Sequence, residues 1–414
     1  MVIFMTNSVG VYNKKKTSTK KSPLLKAEKF KQPMFDIPFF ISVLLILAVG
    51  LIMLYSTGFA ASFFKNNGNS YLFISKQVKF AGLGLVIMIV ASIVPEWVSK
   101  KFYYSAIFGF YILAIVLLIA VFALCPDPEK RWIPVAGSQF QPSELGKVAV
   151  VMLLAWYISK YKDEMDNFLK GLVFPAIIFL LPCALIFEEP HLSGALVVAG
   201  IGYVMLFTGG SKKWLPLLIG LLLLLIAAVF LLDYAIAHGN NLMLKEYQAK
   251  RFKVWHDPTV DLLDAGFQPY QSLITIGSGG AFGLGYGKSR QKYLYLPEPQ
   301  NDYIFSVIAE ELGFVGVVLI MLLFIFLIWR GIYIGIRARN TFESMVVIGI
   351  MSKIAIQTLL NFAVVSNSIP STGISLPFFS SGGTALIVQL AEMGLVLHAS
   401  RYAYLDKGKK DKKE

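Results

Sequence analysis

Long apolar runs separated by short polar links dominate this chain. Runs of about 20 apolar residues, the length that crosses a hydrocarbon core as a helix, recur near 38–56, 77–94, 105–124, 143–158, 171–187, 192–208, 214–233, 303–329, 343–365 and 381–400. The runs are continuous and lack the period-two alternation of a barrel strand. They therefore predict α-helices, which satisfy their backbone polar groups internally. The expected fold is an all-α polytopic membrane protein with ten transmembrane helices. One polar stretch is far longer than the other links: residues 234–302, between the seventh and eighth runs. A membrane protein that keeps so much chain outside the bilayer in one place is expected to work there.

Charge sets the orientation. With both termini on one side, that side collects eight Lys and Arg before the first run, six after the last and a few in each intervening loop, 24 of the 38 in the chain. The positive-inside rule then puts both termini in the cytoplasm and the 234–302 loop outside. The expected organisation is a Lys-rich disordered tail at 1–35, a ten-helix domain at 36–401 and a basic tail at 402–414. A net charge of +13 with only 15% charged residues does not point to nucleic acid, because the excess sits in the tails. Lys14–Lys16, Lys20 and Lys21 suit anionic headgroups instead. The first run acts as its own signal, with no cleavable leader expected. Cys125 and Cys183 are two isolated thiols, and they and four scattered histidines suggest neither a disulfide framework nor a metal cage.

Polar residues within the runs are the next signal. Glu144 and Lys147 share a helix face and are expected to pair, with Ser143 as the N-cap; the pair fits a functional site or a structural pin equally well. Lys353, Gln357 and Asn361 recur every four residues and form one stripe, which is expected to hydrogen-bond neighbouring helices. Glu188 and Glu189 fall in a tight turn and are expected to be solvated. Ser368–Thr384, with two prolines and several glycines, implies a fixed looping backbone. In the long loop, Asp257 precedes proline as a turn former, while Asp261 has no capping pattern and stands as a candidate base. Leu244–Trp255 alternates apolar with basic residues, as an interfacial helix would. The glycines at 277–287 fit neither a Walker loop nor a Rossmann turn. Glu310 and Glu311 are expected as inward-facing acids or helix caps.

Four motifs, in order, carry a resemblance: Arg131-Trp132 with Phe140-Gln141-Pro142-Ser143-Glu144; Gly277 to Gly287; Leu296-Pro297-Glu298 with Asp302, Glu310-Glu311 and Gly313; and Pro370-Ser-Thr-Gly373 with Leu376-Pro377-Phe-Phe-Ser380. Together they resemble the SEDS family (shape, elongation, division and sporulation) of FtsW and RodA proteins over about residues 36–401. The wording is nearer the division and sporulation branch than the elongation branch. The resemblance implies an inverting peptidoglycan glycosyltransferase in the bacterial cytoplasmic membrane, polymerising lipid II into glycan strands on the outer face during cell division. The implied partners are a class B penicillin-binding transpeptidase and other divisome membrane proteins.

The family's Asp-Pro-x-x-Asp stretch reads Asp257-Pro-Thr-Val-Asp261 here, so the resemblance makes Asp261 the general base on the acceptor sugar's 4-hydroxyl. Candidate substrate-binding positions are Arg131, Glu144, Lys147, Gln268, Gln271, Ser272, Lys292, Glu298, Asp302 and Ser380. No cofactor is built in; Mg²⁺ or Mn²⁺ beside a pyrophosphate substrate is compatible, without a dedicated ligand set. Two departures stand out: Glu189-Pro190-His191 replaces the usual Gln-Pro-Asp turn, and Phe267 replaces a tyrosine. Lys353 matches no family role. The rival readings are a lipid II flippase and a non-catalytic divisome scaffold.

Overall fold

The computed structural model describes residues 35–65, 69–93, 96–124, 131–135, 138–189, 192–211, 214, 220, 246–293 and 295–403. The two tails, nearly all of the apolar run at 214–233, the first part of the long loop, Cys125, Pro190 and His191 lie outside the described residues. Nine of the ten apolar runs coincide with helices among the described residues: α1 Ile37–Lys65, α2 Leu72–Ile93, α3 Glu96–Leu124, α4 Pro142–Lys160, α5 Phe174–Glu188, α6 Leu192–Thr208, then α9 Ile304–Ile336, α10 Thr341–Val365 and α11 Gly383–Ala403. Two further helices, α7 Glu246–His256 and α8 Phe267–Ser278, stand in the long polar segment. Seven helical stretches among the described residues are long and apolar enough to cross a membrane. Of the others, α6 is apolar but only 17 residues long, and α4 carries Glu144 and Lys147 close to its start.

A short hairpin departs from the all-helical expectation: Ile133–Val135 pairs antiparallel with Ser138–Phe140 and delivers the chain to α4. The start of α4 also differs from expectation. Gln141 is the N-cap and Pro142 opens the helix, where a missing N–H costs nothing. Ser143 is therefore inside the helix and fully buried. At α10 a side chain does cap the helix: Asn340 accepts the Glu343 N–H at 2.8 Å.

Small residues let helices approach closely. On α11 and α2, which pack along each other, a Cβ on Gly394 would lie 2.6 Å from the Met88 carbonyl oxygen, and one on Gly84 would lie 2.5 Å from Leu390. Inward side chains such as Phe39, Ile46, Leu154, Ile158 and Phe324 form the core. Large apolar residues, including Val90, Leu124, Leu319 and Leu359, stay exposed on the bundle's outer surface. In water such a surface would drive association; against lipid it is the expected coat. At one end of the bundle, Arg330 donates twice to Asp36, and the Asp36 N–H donates to Ser400 Oγ, joining α1, α9 and α11.

The glycine run finds its use in a break in α9. Gly313 has φ 66° and ψ −171° inside the helix. The carbonyls of Glu310 and Glu311, freed by that break, accept the N–H groups of Leu284 and Gly285, and Phe314 and Val315 donate to the carbonyls of Gly280 and Ala281. Four backbone bonds thus stitch the loop into the helix, satisfying groups that would otherwise be orphaned. Glu310 and Glu311 are both buried, as expected of inward-facing acids, and neither is a cap. Glu310 accepts from Ser289 Oγ and the Arg290 N–H, while Glu311 accepts from Ser56 and from Lys292 Nζ at 2.9 Å.

Candidate active site

A cavity of about 700 Å³ opens between the start of α4, the start of α2, the middle of α10 and two irregular segments, 296–302 and 366–382. Its lining includes Arg131, Glu144, Lys147, Glu298, Asp302 and Ser380, six of the positions expected from sequence. Glu144 and Lys147 meet at 2.5 Å, almost completely buried. The second Glu144 oxygen lies 3.3 Å from Lys353 on α10, which in turn donates to Glu392 on α11 at 2.8 Å.

The polar stripe on α10 has a clear job. Asn361 donates to the carbonyls of Asp302 (2.9 Å) and Ile374 (2.7 Å), and Gln357 donates to Ser375 O. Ser380 Oγ donates to Asn301 O while accepting the Leu376 N–H, and the Ser381 N–H donates to Gln300 O. Gln77 and Gln389 hold Ser380 O and the Phe378 N–H from α2 and α11. Non-helical backbone among membrane helices persists only when its polar groups are satisfied in this way. Glu298 and Phe378, both on the cavity wall, hold positive φ (44° and 66°), a strained state for non-glycine residues.

Electrostatics at the cavity mouth centre on Arg131. A Cβ on Gly373 would lie 3.3 Å from Asp302 Oδ2 and 3.7 Å from Arg131 Nη1, so both groups converge on that glycine. Burial pushes the Asp302 carboxyl up to about 6, against the pull of Arg131 and with Glu298 adding to the rise. The two turn acids differ. Glu188 is solvated as expected, whereas Glu189 is buried, with neither carboxylate oxygen hydrogen-bonded. Burial pushes Glu189 up to about 8, partly offset by Arg131. Since its unfolded value is 4.5, the unfolded chain releases this proton first, and stability falls as pH rises from about 4.5 to about 8. Glu189→Gln is expected to remove that slope: thermal unfolding in detergent should show the variant gaining on the wild type between pH 5 and 8, with a constant gap above.

The candidate base Asp261 is not among the residues lining the cavity and is tied to it through α7. From α7, Trp255 Nε1 donates to Asn367 O, Asn367 Nδ2 returns a bond to Trp255 O, and Arg251 donates to Ser371 O, two residues before Gly373. Lys250, the next residue, contacts Asp261 at 3.0 Å and also pairs with Asp264. The Asp261 side chain is 25% exposed against 72% for Asp264. Asp257 is committed to its turn: it accepts the Thr259 hydroxyl and N–H, and these bonds hold its carboxyl below the usual range.

The remaining expected positions lie outside the cavity lining. Gln268 donates to Pro297 O. Ser272 packs between Ser306 and Val365 O. Lys292 is enclosed by Ser56, Gly287 O and Glu311, and Gln271 is half-buried on α8. Among the described residues no group of three or more His, Cys, Asp or Glu is arranged to hold a metal ion. Sequence reasoning missed Glu392. An acid inside an apolar run was the signal that would have found it.

The sequence profile of the FtsW/RodA/SpoVE family, "Cell cycle protein", matches residues 37–405. Stage V sporulation protein E of Bacillus subtilis (strain 168) is 37% identical over 370 residues, covering 89% of this chain and 97% of that protein. A "Probable peptidoglycan glycosyltransferase FtsW" of Thioalkalivibrio sp. (strain K90mix) is 35% identical over 381 residues, covering 89% and 90%. Among solved structures, a chain from a peptidoglycan synthase complex that coordinates polymerization and crosslinking superposes with a TM-score of 0.70 at 28% identity, covering 90% of this chain and 99% of that one. A family match across nearly the whole helical region, with relatives aligned end to end, establishes that this chain belongs to the FtsW/RodA/SpoVE family of cell cycle proteins.

Proposed function

We propose that this chain is a peptidoglycan glycosyltransferase that polymerises lipid II at the outer face of the cytoplasmic membrane, in division or in sporulation. Ten spans with cytoplasmic termini complete the topology, the seventh being the run at 214–233. The observation that carries the reading is the coupling of α7 to the cavity. Adjacent residues on one helix hold the candidate base (Lys250 to Asp261) and the segment that runs into the cavity wall at Gly373 (Arg251 to Ser371).

In this mechanism Arg131 and Lys147 receive the diphosphate of the lipid-linked donor, where charge-assisted bonds are strongest. Asp261 removes the proton from the acceptor's 4-hydroxyl as that oxygen attacks the donor's anomeric carbon from the face opposite the diphosphate, inverting it. Undecaprenyl diphosphate leaves and the strand grows by one unit. Gln268, Gln271, Ser272 and Lys292 support the loop that presents these groups, while Glu298, Asp302 and Ser380 shape the cavity's wall. A Mg²⁺ or Mn²⁺ ion would arrive on the diphosphate, since the described carboxylates form no cage of their own. A class B transpeptidase is the expected partner, in line with the synthase complex among the structural relatives.

Asp302 makes the diphosphate site pH-sensitive. Its carboxyl, pushed up to about 6, is neutral below that pH and repels an anion above it. Affinity for undecaprenyl diphosphate is expected to rise as pH falls from 7 to 5, and Asp302→Asn should flatten that dependence in a binding titration.

The same buried charges suit a flippase. Purified chain and transpeptidase, given lipid II in detergent where no leaflet exists, separate the readings: glycan strands on a gel support the enzyme. Intact lipid II, together with transfer between leaflets of reconstituted vesicles, would replace it with a transporter.

A further inference from the structure

Four charged side chains on three helices form one alternating chain: Lys147, Glu144, Lys353, Glu392. Each side chain is at most 5% exposed. Glu144 and Lys147 reach the cavity wall, but Lys353 and Glu392 are not among its lining residues. The contacts within the chain are unequal. Lys147 holds Glu144 Oε1 by an aligned bond of 2.5 Å, and Lys353 donates to Glu392 at 2.8 Å. Between the pairs, Lys353 stands 3.3 Å from Glu144 Oε2, an oxygen that accepts no hydrogen bond.

The Glu144–Lys147 pair lies within α4 and the Lys353–Glu392 pair joins α10 to α11, so the 3.3 Å contact is the charged link from α4 to the other two helices. Helix pinning alone does not account for the openness of that link: a fully buried ammonium stands beside a carboxylate that already has a partner, with no hydrogen bond closed between them. An open contact of this kind can close when the first partner leaves. A buried carboxylate stripped of its cation is strongly disfavoured, so Lys147 could not turn towards an anion in the cavity unless Glu144 had a second cation in reach.

We propose that Lys353 is a positioning residue, the reserve counter-ion of Glu144, which frees Lys147 to bind the diphosphate of the lipid-linked substrate. The proposal rests on the diphosphate reading of the cavity given above. On anion arrival Lys147 swings from Glu144 to the diphosphate, Glu144 closes the 3.3 Å gap to Lys353, and Lys353 is shared between Glu144 and Glu392. When the diphosphate leaves, Lys147 returns. No bond is made or broken covalently; the cavity exchanges one ion pair for another, which keeps the site neutral between turnovers.

The test is binding of farnesyl diphosphate to the full chain in detergent, measured by calorimetry, with thermal unfolding as the folding control. Lys353→Met with Glu392→Gln removes the reserve cation at constant net charge and is expected to weaken binding about tenfold or more, within the usual range of coupling between sites. Adding Glu144→Gln removes the carboxylate that competes for Lys147 and is expected to restore binding. A purely structural role gives the opposite order, with the triple variant no better than the double. Wild-type affinity in the double variant also overturns the proposal. If the double variant does not fold, Glu392→Gln alone decides: it frees Lys353 for Glu144, so tighter binding supports the proposal and weaker binding overturns it. If the wild type binds farnesyl diphosphate no better than farnesol, the diphosphate reading itself fails and the inference falls with it.

Discussion

Replacing Asp261 by asparagine is expected to slow glycan polymerisation by about 10²–10⁴-fold, the usual worth of a general base, while lipid II binding is retained. Three aspartates stand within eight residues, and their surroundings separate them. Asp257 is consumed by Thr259 in its turn. Asp264 is 72% exposed and pairs with Lys250. Asp261 is the least exposed of Lys250's two partners, on a loop that α7 ties to the segment running into the cavity wall at Gly373. Asparagine keeps its size and its capacity to hydrogen-bond but cannot take a proton. Asp264→Asn is expected to change turnover by less than about tenfold, since an exposed ion pair contributes little. The measurement is the initial rate of undecaprenyl diphosphate release at saturating lipid II, beside a binding titration for each variant.

Gly313→Ala is expected to destabilise the fold by about 2–6 kcal/mol, from roughly 1–3 kcal/mol of backbone strain together with overpacking of similar size. Gly313 holds φ 66°, and a Cβ there would lie 2.2 Å from the Gly283 nitrogen and 2.7 Å from the Ala281 carbonyl oxygen. These are backbone atoms of the loop that the helix break receives, so relief would require parting the four stitching bonds. The loop carries Ser289 and Lys292, the partners of Glu310 and Glu311; its displacement would leave two buried carboxylates exposed to one another. Gly277→Ala is the control. That position is helical with open space around it, so alanine should cost nothing or add slightly to stability. Thermal unfolding of both variants in one detergent reads the difference.

Most helices were legible because membrane crossing imposes a coarse pattern, about 20 apolar residues, that survives without knowledge of packing. The Glu144–Lys147 pair was legible for the same local reason, a spacing of three on one helix. What the stripe of Lys353, Gln357 and Asn361 binds was not. Its partners are Glu144, Glu392 and the carbonyls of residues 302, 374 and 375, which only the tertiary fold brings near. The hairpin at 133–140 escaped notice because three-residue strands carry no usable period. Ser143 was expected at a cap that Pro142 moved upstream by claiming the first turn. Glu188 and Glu189 are chemically identical neighbours, yet a helix end points one outward and the other inward. The glycines at 277–287 could be excluded as a nucleotide loop from spacing alone, but their use depends on a complementary break more than 25 residues away in the chain.

The most direct measurement is sided turnover in proteoliposomes. The chain and a class B transpeptidase are reconstituted in one orientation, lipid II is supplied to only one leaflet, and undecaprenyl diphosphate release is followed for wild type and Asp261→Asn. The predicted result is release by the wild type only when lipid II occupies the leaflet facing residues 246–302, and almost none by Asp261→Asn from either side. Equal release by Asp261→Asn, or turnover confined to the opposite leaflet, would contradict a glycosyltransferase whose base stands on that loop.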